Sequence, residues 1–132
     1  MKPKKNRDKE KTPLVTIVVV DFNGMKFIKR CLDSIIALNY PKDRTEVIMV
    51  ENSSQMEAAD YVKKTYPSAK VIVNKENNYA KANNIGAKIG KGEFIAFLNN
   101  DTAVTKEWLS ELIRVISNEK RIGAVGGKIL LM

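Results

Sequence analysis

The sequence predicts an α/β domain of three layers, helices on both faces of a mainly parallel sheet, and three observations predict it. Short apolar runs rich in β-branched residues alternate with longer stretches whose apolar residues recur every three or four positions. The strand-then-helix order repeats along the whole chain, which calls for right-handed crossovers between parallel strands. The clearest runs also stop abruptly at acidic and amide residues: Asp21-Phe22-Asn23-Gly24, Glu51-Asn52 and Asn99-Asn100-Asp101.

Taken in order, Thr12-Pro13 closes a basic tail, and residues 14–20 (LVTIVVV) form the first strand by β-branching and apolar continuity. Asn23 is placed to cap a helix over residues 25–38, with Phe27, Ile28, Cys31, Leu32, Ile35 and Ile36 on one stripe. Within that stripe Cys31 reads as a small core residue and not as a nucleophile. Asn39-Tyr40-Pro41 stops the helix. The second strand covers residues 46–50 (EVIMV), and Ser54 with Glu57 has the spacing of a capping box. The helix behind it turns Ala58, Tyr61, Val62 and Thr65 inward. A third strand is Lys70–Val73. The stretch 74–89 becomes helical in its later part, where Ala80, Ala82, Gly86 and Ala87 would let the backbone approach a neighbour or ligand closely. Gly90 and Gly92 break it. Residues 94–98 (FIAFL) then form an unbroken apolar strand, expected to be buried on both faces. Thr105 can cap a helix burying Trp108, Leu109, Leu112, Ile113 and Ile116. The last run, 122–132, reads as a fifth strand without a polar stop behind it, and predicts that a partner segment is missing.

Composition narrows the function. The 132 residues make one domain at most, with no apolar run near the ~18 residues that span a bilayer and no apolar core of a signal peptide at the start. A cytoplasmic protein is expected, and the single cysteine cannot form an internal disulfide. Histidine is absent, so acid–base or metal chemistry falls to carboxylates, amides, hydroxyls, lysines and backbone groups. Half of the net charge of +8 sits in the tail, where residues 1–11 hold six Lys/Arg against Asp8 and Glu10. A solvated tail is the plainer reading; peripheral contact with an anionic membrane surface is the sharper one. No zinc spacing or aromatic–basic interleaving points to nucleic acid.

In an open parallel sheet, ligands bind beyond the carboxyl ends of the strands. The strand ends at Asp21, Glu51 and residues 99–101 are therefore expected to converge on one edge. Carboxylates and amides gathered there suit a hard cation carrying phosphates, and neighbouring helix N-termini favour anions. Neither a GxGxxG after the first strand nor a GxxxxGK[ST] is present, which removes the dinucleotide and P-loop alternatives. Each residue also has a plainer role: Asp21 and Glu51 as turn or cap groups, residues 99–101 as a turn, Lys81 and Asn83 as a solvated helix face.

Four blocks then carry a resemblance: VVVDFNG (18–24), EVIMVENSS (46–54), NKENNYAKANNIGAKIGKGEFIAFLNNDT (74–102) and GAVGGKILL (123–131). With their connecting helices they resemble the amino-terminal, nucleotide-sugar-binding half of the family 2 glycosyltransferases, of GT-A fold. Beyond the basic tail over residues 1–12 that the composition sets apart, the resemblance implies a donor-binding part over 13–132. It implies that Asp21 and Phe22 meet the nucleobase and ribose, and that Glu51, with Asn52 beside it, reads the base or ribose. Asn99, Asn100 and Asp101 match the DXD position, with Asp101 holding Mn2+ or Mg2+ on the diphosphate, and Lys81 and Asn83 border the diphosphate and sugar. The implied partners are a nucleotide-sugar donor and a glycan, lipid-linked or other hydroxyl acceptor, joined by inverting transfer. The first acid of the DXD position is Asn99 here, Glu51 stands for the more usual Asp, and Asn78 and Lys81 replace common glycines. Lys81 would supply positive charge for the diphosphate and so partly offset a weakly held or missing metal. The family's acceptor half, which carries the general base, is expected to be a separate polypeptide or absent, so that no catalytic base is assigned. The alternative is a fragment that binds donor without turnover.

Overall fold

A computed structural model describes residues 12–52 and 55–130 of the chain. Its centre is a four-stranded parallel sheet of β1 (Val15–Asp21), β2 (Thr45–Glu51), β3 (Lys70–Val73) and β4 (Phe94–Asn99), in the order β3-β2-β1-β4. Helices α1 (Met25–Ile36), α2 (Glu57–Thr65) and α3 (Tyr79–Ile89) make the crossovers, and α4 (Trp108–Asn118) follows β4. The reversal of strand order at β1 brings the ends of β2 and β4 to either side of the end of β1.

β1 is fully buried because it is central and covered on both faces. Val15, Ile17 and Val19 pack on one side with Ile28, Cys31, Leu32, Ile35, Val62 and Leu109, a core drawn from α1, α2 and α4. Val18 and Val20 pack on the other with Ile48, Val50 and Ala82 of α3. The expected three layers are thus present. Gly86 explains how α3 lies so close: a Cβ there would stand 2.4 Å from Val18 Cγ1. At the far end of the sheet, buried Thr16 donates to Glu46 Oε2 (2.6 Å) and accepts from Gly92 N–H (2.9 Å), which ties the start of β4 to β1 and β2.

Several expectations are corrected. β4 is the outer strand of the described sheet and is only half-buried, with Phe97 53% exposed. The unbroken apolar run reflected β-propensity, not two covered faces. Residues 119–130 contain no strand, and Ile129 and Leu130 are largely exposed. Gly123, Gly126 and Gly127 interrupt that run, and glycine weakens strands by its backbone entropy. In α1 the buried stripe is narrower than predicted, since Phe27 and Ile36 lie at its margins and are about half exposed. Thr65 is exposed, and Tyr66 fills the place expected of it. α4 begins at Trp108, where the Thr105 carbonyl, not its hydroxyl, accepts from the Trp108 N–H (3.1 Å), and only Leu109 is fully buried. The proposed Ser54 cap lies outside the described residues, as do the basic tail through residue 11 and residues 131–132.

Candidate functional site at the strand ends

The parallel register places Asp21 opposite Glu51 and Val20 opposite Asn99, so the three polar strand ends do meet on one edge. Asp21 and Glu51 are wholly buried and Asn52 nearly so. Strand geometry alternates side chains between faces, and the hydrogen bonds follow that alternation. On the α1 face, Asn100 Nδ2 donates to Asp21 Oδ1 (2.6 Å), and the Gly24 N–H donates to Asp21 Oδ2 (3.1 Å). On the α3 face, the Tyr79 hydroxyl donates to Asn99 Oδ1 (2.5 Å). A tight turn closes behind β4, where the Thr102 N–H and Oγ1 both donate to the Asn99 carbonyl (3.2 and 2.6 Å). Asp101 stands exposed at the tip of this turn.

These residues surround a cleft of about 290 Å3 lined by Val20, Phe22, Tyr79, Asn99, Asn100 and Asp101. Of the sequence-predicted site residues, Phe22, Asn99, Asn100 and Asp101 therefore share one cavity, with Asp21 packed beneath them. Glu51 and Asn52 are buried in the neighbouring strand end. Lys81 and Asn83 are not among the lining residues: Lys81 pairs with Glu76, and Asn83 Nδ2 donates back to the Tyr79 carbonyl (3.1 Å). Asn23 does not cap α1. It adopts a left-handed backbone with φ 51°; α1 has no side-chain cap, and the Asp21 carboxylate accepts from the N–H of Gly24, the residue just before the helix.

Two groups escaped the sequence reading. Asn52 Oδ1 accepts from Asn74 Nδ2 (2.7 Å) and from the Asn78 N–H (3.3 Å), while Asn74 Nδ2 also donates to the Glu76 carbonyl (2.6 Å). Asn78 Oδ1 then caps α3 by accepting from the Lys81 N–H (2.9 Å). This amide chain fixes the loop from β3 to α3. The Asn-rich stretch was the available signal, but its members look alike until the β2 end is known to face them. Tyr79 is the second omission: an aromatic in the first turn of a helix gives no hint of a partner twenty residues away.

Beneath the turn, the Cys31 thiol lies 3.7 Å from the Asn99 carbonyl. Burial, reinforced by the nearby charges of Asp101 and Asp21, pushes it up to about 12. A thiol so held stays protonated and is no nucleophile, which agrees with the core reading. For a metal, the described residues contain no group of three or more His, Cys, Asp or Glu side chains. Around the cleft the donors are all oxygens, one carboxylate and neighbouring amides. That set fits a hard cation of the Mg2+ or Mn2+ kind only where phosphate and water complete its shell.

The comparison with known proteins decides the family. The sequence profile described as "Glycosyl transferase family 2" matches residues 16–129.

The chain belongs to glycosyltransferase family 2.

Among family members, the chain is 30% identical over 122 residues to Glycosyltransferase AglE of Haloferax volcanii, covering 89% of this chain and 40% of the relative. It is 29% identical over 133 residues to the probable glycosyltransferase YdaM of Bacillus subtilis, covering 96% of this chain and 32% of the relative. The chain thus spans two fifths or less of the length of these curated relatives. Solved structures share the fold. S. aureus TarS (residues 1–349) superposes with a TM-score of 0.74 at 24% identity, over 90% of this chain and 38% of that one. The mannosyltransferase PcManGT of Pyrobaculum calidifontis superposes with a TM-score of 0.69 at 24% identity, over 80% of this chain and 32% of that one. At these identities the likeness establishes the GT-A architecture alone. No helix of the described residues is long and apolar enough to cross a membrane.

Proposed function

We propose that this family 2 chain binds the nucleoside-diphosphate sugar of an inverting glycosyl transfer in the cleft at the strand ends. The observation that carries the reading is the gathering of Phe22, Tyr79 and the 99–101 turn around one cavity, above buried Asp21. Phe22 and Tyr79 are about half exposed and offer flat apolar faces to a base or sugar. Asn99 and Asn100 supply polar groups of the size that fixes a ligand's orientation. Related structures support the class of ligand: TarS is known with UDP and with UDP-GlcNAc, and PcManGT with GDP-Man and Mn2+.

Asp101, with amide oxygen beside it, would hold the divalent cation. When bound, the cation supplies positive charge to the diphosphate as it departs. The remaining work belongs to the chain's own residues. The hydrogen bonds of Thr102 to Asn99 hold the turn shut, Tyr79 orients Asn99, and the Asn52–Asn74–Asn78 chain holds the loop that leads into α3. Glu51, wholly buried in the β2 end, would have to be uncovered to read a base or ribose, and Lys81 would have to leave Glu76 to reach a diphosphate. The acceptor is a glycan, lipid-linked or other hydroxyl compound, met in the cytoplasm or at the inner membrane surface.

Calorimetric titration with UDP and GDP, with and without Mn2+, tests the reading. Wild-type binding should be strengthened by Mn2+, and Asp101→Ala should remove that increment while leaving the circular-dichroism spectrum unchanged. Equal Mn2+-dependent affinity in the two proteins would sink the assignment of Asp101.

A further inference from the structure

The Asp21 carboxylate is wholly buried beneath the cleft, and each of its oxygens already accepts a hydrogen bond. Oδ2 takes the Gly24 N–H at the start of α1, and Oδ1 takes the Asn100 side-chain amide. An ionised carboxylate accepts and cannot donate, so it admits only the nitrogen end of that amide. The oxygen end of Asn100 is thereby turned the other way, on a residue that lines the cleft next to Asp101.

Gly24 gives an independent indication. Its backbone, φ −96° and ψ 18°, is open to any residue, so conformation does not require glycine. Space does. A Cβ at position 24 would stand 1.9 Å from Asn100 Nδ2 and 2.2 Å from Asp21 Oδ1. The missing side chain makes the socket in which the amide and carboxylate meet.

We propose that Asp21 is not a nucleotide contact but a positioning residue, which with Gly24 locks the Asn100 amide so that its carbonyl oxygen serves the cleft beside Asp101. For what that oxygen is used, a ligand to the diphosphate-bound cation, the inference rests on the donor-site reading above; the lock itself does not. Asn100 and Asp101 together then supply what Asn99, turned toward Tyr79, does not.

The hydrogen-bond logic fixes what substitution does. In Asp21→Asn, the new amide oxygen keeps the Gly24 N–H, and its nitrogen then faces Asn100. Asn100 must rotate its own oxygen inward and its nitrogen to the cleft. The double variant Asp21→Asn with Asn100→Asp restores a donor–acceptor pair and returns an oxygen to the cleft. Asn100→Asp alone sets two carboxylates against each other.

Nitrogen-15 NMR of the 132-residue chain without ligand reads the lock. The Asn100 side-chain NH2 should exchange slowly with solvent in the wild type and fast in Asp21→Asn and Gly24→Ala. Free exchange in the wild type overturns the lock, whatever the protein binds. Titration with UDP and GDP reads its consequence. The Mn2+-dependent increment in affinity should fall about tenfold or more in Asp21→Asn, the range for groups that orient metal ligands, while the metal-free affinity stays unchanged. The double variant should recover the increment. A loss in metal-free affinity, or no recovery in the double variant, overturns the positioning role in favour of direct nucleotide contact. If wild-type protein binds neither nucleotide although the amide is protected, the donor-site reading fails and the lock stands.

Discussion

Cys31 shows how the environment of a single side chain decides its chemistry. It sits in the middle of the α1 stripe, fully buried below the turn that carries Asp101. With its titration moved from an ordinary 9.0 to about 12 by burial and two nearby acids, the folded state holds the proton that the unfolded chain gives up. The contribution to stability is therefore complete below the ordinary thiol range and declines as pH rises toward the folded value, by up to about 1.4 kcal/mol per pH unit. Urea midpoints of the wild type and Cys31→Ala, compared from pH 7 to 10.5, should converge above about pH 9. A thiol reagent at pH 8 should label Cys31 only when urea is added; rapid labelling of the native protein would contradict its burial. The sequence disclosed this role because the helical period alone put Cys31 among apolar neighbours. It did not disclose that Asp21 faces Asn100, since 79 positions separate them and only the β1–β4 pairing joins them.

At the scale of elements, strands and helices were legible wherever the local pattern and the final environment agree. β3 is found at its expected residues, β1, β2 and β4 differ from expectation by a residue at one or both ends, and the expected strand at 122–132 is not formed over its described residues. Apolar continuity reports what a segment prefers, while sheet order decides what covers it, so β4 lies at the edge of the described sheet although its run predicts burial on both faces. Caps were less legible than helix bodies: α1 starts at the expected Met25 but without a cap from Asn23, and α4 starts at Trp108 without a side-chain cap from Thr105. Two substitutions separate capping from packing in α3. Asn78→Ala removes the cap that accepts from the Lys81 N–H and should cost about 1 kcal/mol. Gly86→Ala gains helix propensity but drives a methyl into Val18, and overpacking of this kind costs about 1–3 kcal/mol. Chemical denaturation should show both variants destabilised. A Gly86→Ala protein more stable than wild type would mean that α3 can lift from β1 without loss.

For the molecule as a whole, the question is whether these 132 residues transfer sugar or only hold its donor. Transfer to a hydroxyl needs a base within hydrogen-bond reach of the acceptor. The described acids around the cleft each have another occupation: Asp21 is buried against Asn100 and Gly24, Glu51 is buried in the β2 end, and Asp101 is the proposed cation ligand. Further along the chain, Glu107, Glu111 and Glu119 are exposed on α4 or beside it, and Glu111 is paired with Arg114 (2.7 Å). The apolar stripe of α4 faces the core cluster through Leu109, with Trp108 and Ile113 packed against it, which directs its acids away from the sheet. The family relatives, of which this chain matches two fifths or less, have length to spare for an acceptor side. The expected result is a protein that binds UDP or GDP with Mn2+ in calorimetry yet releases no nucleoside diphosphate above background when given UDP- and GDP-sugars with an alcohol acceptor. Adding the remaining length of a relative as a second polypeptide should raise turnover from that background. Mn2+-stimulated transfer by the 132-residue chain alone would refute the prediction, and one of the acids assigned to the donor would then be serving as the base.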